Sequence, residues 1–203
     1  MEHILTIDHR DDAASRIGMW LFIFTELFLF AGLFLVFTVY RTKYHEGFHL
    51  AAQELNVTIG TINSIILLLS GMTMGISYVA IKKGDVKLTL WMLTLTILLG
   101  IIFLVNKYFE WKVKFEHGLY PGSLELLGLS HGDVMFFGLY FFMTGLHALH
   151  LIAGLVLISI VIGAVLRKRV HQTKYALLEN TSLYWHLVDL VWIFLFPLFY
   201  LIN

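Results

Sequence analysis

The chain has 203 residues, of which 59% are apolar and 14% charged, against about 45–50% and about 25% in an ordinary soluble domain. Fourteen Lys and Arg balance fourteen Asp and Glu, so no net field invites nucleic acid or a polyanionic substrate. The absence of Cys excludes disulfides, thiolate-held zinc or copper, iron–sulfur clusters and a Cys nucleophile. A soluble core of this size could not hide so much apolar surface. The composition is that of an integral membrane protein.

Five apolar stretches follow in chain order, at 17–40, 59–81, 88–105, 134–166 and 183–202. Each is close to or above the ~20 residues a helix needs to cross a hydrocarbon core of about 30 Å. Of all the Asp, Glu, Lys and Arg residues, only Glu26 and Asp189 lie inside these stretches. None shows the strict alternation of a barrel strand. The sequence therefore predicts an all-α membrane bundle of five transmembrane helices, at about 17–40, 59–81, 88–109, 132–166 and 183–202, in a single domain spanning 1–203.

The first stretch is preceded by Glu2, Asp8, Asp11 and Asp12. With no basic n-region and no small-x-small cleavage site, it is expected to be a mature helix rather than a signal peptide. Glu26 lies about 14 Å into this helix by helical rise. An acidic residue at that depth needs a partner or a proton, and is a functional candidate by default; a hydrogen bond between helices is the competing structural reading. The second stretch carries Asn63, Ser70 and Ser77 at seven-residue spacing beside Gly71 and Gly75, a stripe that permits close helix approach. The connection 106–133 contains the turn signal Tyr120-Pro121-Gly122.

The fourth stretch holds His147 and His150, three residues apart on one face, and is long enough to require a strong tilt. It ends in Arg167-Lys168-Arg169, a basic turn suited to contact with a lipid head group. The fifth holds His186 and Asp189 with the same three-residue spacing. Trp20, Tyr40, Trp111, Tyr184 and Tyr200 are expected as interface anchors. Basic residues favour the N-terminal side. Arg10, Arg16, Lys82, Lys83, Lys87, Arg167, Lys168, Arg169 and Lys174 outnumber Arg41, Lys43, Lys107, Lys112 and Lys114 on the other side. The positive-inside rule then predicts a cytoplasmic N-terminus and a periplasmic C-terminus.

These residues also carry a resemblance. Gly18 to Glu26 (GMWLFIFTE), Phe28 to Gly32 (FLFAG), Asn63-Ser64, Gly145 to Gly154 (GLHALHLIAG) and Tyr184 to Trp192 (YWHLVDLVW) resemble subunit III of haem–copper terminal oxidases, in the five-helix form of the cytochrome c oxidase subunit III family. The likeness runs from about Ser15 to the C-terminus. It implies a subunit with no catalytic, cofactor or metal site of its own, embedded as a multi-pass protein in a bacterial inner membrane. Haem and copper would sit in partner subunits I and II, and bound phospholipid is expected. It further implies support of proton uptake and of the stability of the oxygen-reducing, proton-pumping catalytic subunit. By position, Glu26 matches the family's intramembrane carboxyl and His150 the His expected to face it. His186 and Asp189 sit in the family's Trp-His-x-x-Asp motif, and Glu179 matches an acidic residue at the mouth of the last helix. Members with seven helices hold structural lipids in a cleft flanked by two helices that this form lacks. Glu at position 26 leans toward a cytochrome c oxidase, with a quinol oxidase as the alternative.

Two other functions fit part of the pattern. A membrane cytochrome would hold haem through His147 or His150 and His186, although His186 lies near a helix end and the other two lie deep. A small proton-coupled transporter would use Glu26, but the chain lacks the internal repeats and broken helices usual in such folds. A metal site built from Glu26, His150 and Asp189 lacks the Glu-x-x-His pattern of carboxylate-bridged bundles.

Overall fold

The computed structural model describes residues 12–202; the tail residues Glu2, Asp8, Arg10 and Asp11 lie outside the described residues. The long apolar runs form helices because lipid offers no partner for backbone N–H and C=O groups, and a helix satisfies them internally. Among the described residues seven helices result: α1 (Asp12–Lys43), α2 (His45–Gln53), α3 (Val57–Lys82), α4 (Val86–Glu116), α5 (Leu124–Leu127), α6 (His131–Leu166) and α7 (Ala176–Tyr200). Five of them, α1, α3, α4, α6 and α7, are long and apolar enough to cross a membrane. The chain is a multi-pass membrane protein.

Local signals set where each helix starts. Asn56 caps α3 by accepting from the Ile59 N–H, and Asp85 caps α4 by accepting from the Leu88 N–H at 2.9 Å. Ser130 and Asp133 form a reciprocal capping box at the head of α6. Between α3 and α4 the chain reverses in three residues, with Gly84 at φ +79° in the left-handed region that other residues avoid. So short a turn forces the two helices side by side, and they make the most extensive pairing in the molecule.

The helices α3, α4, α6 and α7 meet at one side chain. Trp185 of α7 is fully buried, and its indole N–H donates to Ser70 Oγ of α3 at 3.1 Å. Its six-membered ring rests on Gly100 of α4 and Gly154 of α6, where an added Cβ would stand 3.0 Å and 2.8 Å from ring carbons. The stripe expected on the second membrane helix serves this packing. Asn63, Ser70 and Ser77 are all fully buried, and Asn106 of α4 donates to Asn63 at 2.9 Å. Thr73 and Thr96 share a further bond between α3 and α4 at 2.8 Å. At the opposite end of the bundle, the fully buried rings of Phe37, Phe48, Phe136 and Phe199 meet edge to face, joining α1, α2, α6 and α7.

The structure departs from the sequence reading at several points, one being that the last membrane helix starts at Ala176 rather than at about 183. The third membrane helix runs to Glu116 rather than to about 109, because its polar extension is fastened from within: Lys107 and Glu110 are buried as a pair, and the Lys114 ammonium donates to the Glu54 carbonyl beyond the end of α2. The amphipathic helix α2, unforeseen, buries Phe48, Ala51 and Ala52 against α6. Tyr184 and Tyr200, expected at interfaces, are buried at 5% and 4% exposure, because their hydroxyls find partners inside the bundle. The long fourth helix is 36 residues, about 54 Å by helical rise, so it projects beyond the bilayer or crosses it at a strong tilt.

The Trp185 seat makes a matched pair of substitutions informative. Gly154→Ala drives a methyl into the ring and should cost about 1–3 kcal/mol. Gly163→Ala, where an added Cβ meets nothing within 4 Å, should be neutral or stabilising by up to about 1 kcal/mol. Thermal unfolding of the detergent-purified protein measures both. Equal midpoints for the two variants would show that Trp185 does not depend on the Gly154 surface.

Candidate functional site

Glu26 of α1 and His150 of α6 face each other. His150 Nε2 and Glu26 Oε2 are 2.9 Å apart, and the two side chains are only 15% and 16% exposed. The other ring nitrogen, Nδ1, lies 2.8 Å from the Leu146 carbonyl. A carbonyl can only accept, so Nδ1 carries a hydrogen, and Nε2 of the neutral ring is then an acceptor. One further proton must therefore lie on the Glu26–His150 contact, either as a carboxyl donating to Nε2 or as an imidazolium donating to a carboxylate. In both forms the pair is neutral as a whole, which is how a titratable pair survives in lipid. Phe30 packs on the edge of the His150 ring at 5.4 Å, and the Tyr184 hydroxyl donates to the His150 carbonyl at 2.9 Å. The pair sits at the flank of the bundle, where α1 meets α6.

The other candidates are dispersed. His147 is buried between Phe103 and Trp192, with ring centroids 5.7 Å and 5.3 Å away, and neither ring nitrogen has a hydrogen-bond partner. Asp189 is 7% exposed with Oδ1 unpartnered, and its other oxygen presses on α3 at Gly71, 2.5 Å from the position of an added Cβ. His186 is exposed on the surface of α7. The three His residues are thus turned to three different surroundings. Among the described residues no three His, Cys, Asp or Glu side chains gather as a metal site, so Glu26, His150 and Asp189 are not brought together.

Glu179, at the start of α7, ties three helices on the N-terminal side. It accepts from Arg16 of α1 at 2.8 Å and from the Tyr78 hydroxyl of α3 at 3.2 Å. Next to it, Asn180 donates to Ser15 Oγ at 2.9 Å. Arg167, Lys168 and Arg169 form the turn that ends α6 and are exposed.

One constellation escaped the sequence reading. Lys107 and Glu110, one turn apart on α4, are 3% and 5% exposed. The Lys107 ammonium donates to Glu110 at 3.2 Å, to the Tyr140 hydroxyl of α6 at 2.9 Å and to the Tyr200 hydroxyl of α7 at 2.7 Å. Both tyrosine hydroxyls in turn donate to Glu110 Oε1. Each hydroxyl accepts from the cation and donates to the anion, so the four groups close on themselves. Lys107 had been counted among the basic residues of an outer connection; the structure instead places it inside the bundle. The signal was present in the i, i+3 Lys–Glu spacing, but the tyrosines that complete the square are distant in sequence.

Residues 6–203 match the family model for cytochrome c oxidase subunit III. Cytochrome c oxidase subunit 3 of Corynebacterium diphtheriae is 33% identical over 193 residues, which cover 92% of this chain and 87% of that protein. The heme-copper oxidase subunit I+III of Aeropyrum pernix is 32% identical over 194 residues; these cover 92% of this chain but only 22% of that longer protein. The probable quinol oxidase subunit 3 of Staphylococcus saprophyticus is 29% identical over 203 residues, covering 98% and 94%.

Two double-mutant cycles test the polar contacts. Glu26→Ala and His150→Ala should couple by about 1–2 kcal/mol, the range for hydrogen bonds between membrane helices; strictly additive losses of stability would dismiss the pairing. Lys107→Met alone strands Glu110 and should cost about 3–5 kcal/mol, whereas adding Glu110→Leu should recover much of it. If the double variant is as unstable as the sum of the singles, the square is not an ion pair in the folded protein.

Proposed function

The chain belongs to the cytochrome c oxidase subunit III family, and from that membership we propose that it is the non-catalytic subunit III of a bacterial respiratory oxidase that takes electrons from cytochrome c. In this reading, oxygen reduction and proton pumping take place in a partner catalytic subunit that, with a second subunit, supplies haem and copper. This chain packs beside that partner in the inner membrane, N-terminus in the cytoplasm, and sustains its proton uptake and its stability under turnover. The observation that carries the reading is the match along residues 6–203. The subunit I+III protein of Aeropyrum pernix, in which a matching segment occupies about a fifth of one longer chain, supports a place beside a catalytic subunit. The choice of cytochrome c over quinol rests on Glu26 alone. The quinol reading is favoured by the likeness to the staphylococcal protein.

Within this role the neutral Glu26–His150 pair is a group that can hold an exchangeable proton at membrane depth, and we assign it to the support of proton uptake. Tagging the C-terminus and isolating the protein from native membranes in mild detergent is the first test. A haem–copper subunit should come with it, and the identity of the third subunit, copper-bearing or quinol-binding, decides the donor. A chain that comes alone and colourless would sink the proposal. In the isolated complex, Glu26→Ala should leave the initial rate of oxygen consumption nearly intact and shorten the time over which it is sustained. An unchanged time course would remove Glu26 from the function.

A further inference from the structure

Where α7 meets α3, two polar side chains lie at membrane depth with nothing to satisfy them. Because α7 starts at Ala176, His186 lies about 15 Å into it and Asp189 about 20 Å, by helical rise. A hydrocarbon core of about 30 Å puts both well inside the apolar layer. Asp189 is 7% exposed with Oδ1 unpartnered, whereas His186 is exposed. No ion pair among the described residues engages either of them. An imidazole open to lipid and a buried carboxyl with an orphan oxygen are both costly at this depth.

Both groups lean over one point of α3. A Cβ added at Gly71 would stand 2.5 Å from Asp189 Oδ2 and 3.6 Å from His186 Nδ1. One turn further along, Gly75 completes the run Gly71-Met72-Thr73-Met74-Gly75, and an added Cβ there would meet nothing within 4 Å. Glycines four residues apart let a neighbouring helix approach closely. Gly71 has that neighbour in α7; Gly75 faces open space. By helical periodicity, Leu68 and Met72 of α3 and Leu190 and Ile193 of α7 flank the notch, and all four are exposed. The surface is a shallow apolar groove with Asp189 aimed into its floor and His186 on its wall.

We infer that this groove seats a transmembrane helix of the catalytic partner subunit, which presents to Asp189 and His186 a side chain that both donates and accepts hydrogen bonds, a hydroxyl or a carboxamide. The assignment rests on the oxidase-subunit reading. Lipid cannot supply such a group, because acyl chains at this depth carry no donor. A second copy of the chain fits less well. Closed two-fold packing sets the same patch against itself, so His186 would meet His186 and Asp189 would meet Asp189 at equal depth. A different helix can bring what both groups lack, and one side chain placed between them serves the two together.

The chain has no Cys, so single cysteines give defined attachment points on it. Leu190→Cys and Met72→Cys in the groove, and Ile101→Cys on the exposed face of α4, are labelled with benzophenone maleimide in native membranes and irradiated. Mass spectrometry of the adducts should show, for the two groove positions, a membrane helix of the haem–copper subunit that carries Ser, Thr, Tyr, Asn or Gln, and for Ile101→Cys no such peptide. In the isolated complex, Gly75→Phe fills the notch without touching the bundle. It should weaken retention of that subunit in detergent about tenfold, the scale of one polar contact between membrane helices. Gly138→Phe on α6, where an added Cβ also meets nothing within 4 Å, should leave retention unchanged. Asp189→Asn, which keeps the hydrogen bonding, should hold the subunit better than Asp189→Leu.

Groove adducts with lipid alone, or with a second copy of this chain, would overturn the assignment, as would full retention of the partner by Gly75→Phe. If the haem–copper subunit co-purifies but is crosslinked only from Ile101→Cys, the oxidase reading stands and the groove assignment falls. If no haem–copper subunit is present at all, both fall.

Discussion

The bundle is organised around the seat of Trp185. Lipid tails are as apolar as leucine, so helices in a membrane gain little from hiding apolar surface from each other; they associate through fit and hydrogen bonds. Trp185 supplies both. Its ring needs two helices without side chains at Gly100 and Gly154, and its N–H needs an acceptor on a third helix, found at Ser70. These demands fix the lateral positions of α3, α4 and α6 around α7 together. A single slip of register on any of the four would put a side chain into the ring or leave the indole N–H without a partner.

Around that centre, charge is distributed by how much of it can be cancelled locally. Lys107, Glu110, Tyr140 and Tyr200 form a closed square deep in the bundle, where each donor meets an acceptor. At the N-terminal side, Arg16 and Glu179 are partly exposed, and their contact is a clasp between helix ends rather than a buried pair. A surface pair of this kind is worth about 0–1 kcal/mol, so it orients the start of α1 without carrying the fold. The Glu26–His150 pair lies between these extremes, neutral as a unit and set at the flank. The square stabilises one arrangement; the flank pair joins α1 to α6 through a single contact.

The fold was largely legible because lipid makes the rule simple: a run of about twenty apolar residues has few options other than a helix. The Glu26–His150 contact was legible only through resemblance, since nothing in residues 124 positions apart announces their meeting. The Lys107 square was hidden for a related reason. A lysine and a glutamate near the end of an apolar run read as loop residues until Tyr140 and Tyr200 are seen to close around them. Tyr184 and Tyr200 misled in the same direction, because an amphipathic ring near a helix end suits the interface as well as it suits a buried acceptor. Helix α2 was missed because it is too short to register as a periodic segment and depends on the α6 surface it covers.

The position of Glu26 and His150 bears on how a chain of this kind can act at all. Within this chain the described neighbours of the pair are mostly committed elsewhere. Phe30 covers one side of the imidazole, and Nδ1 is committed to the Leu146 carbonyl. His147, the nearest residue of the same type on that face, has its ring packed between Phe103 and Trp192 rather than turned to His150. The remaining access is the outer flank, where each side chain keeps about a sixth of its surface. Exchange at this pair is therefore governed by whatever lies against that flank of α1 and α6. The geometry opens the pair only toward the outer flank of α1 and α6, where both side chains keep part of their surface.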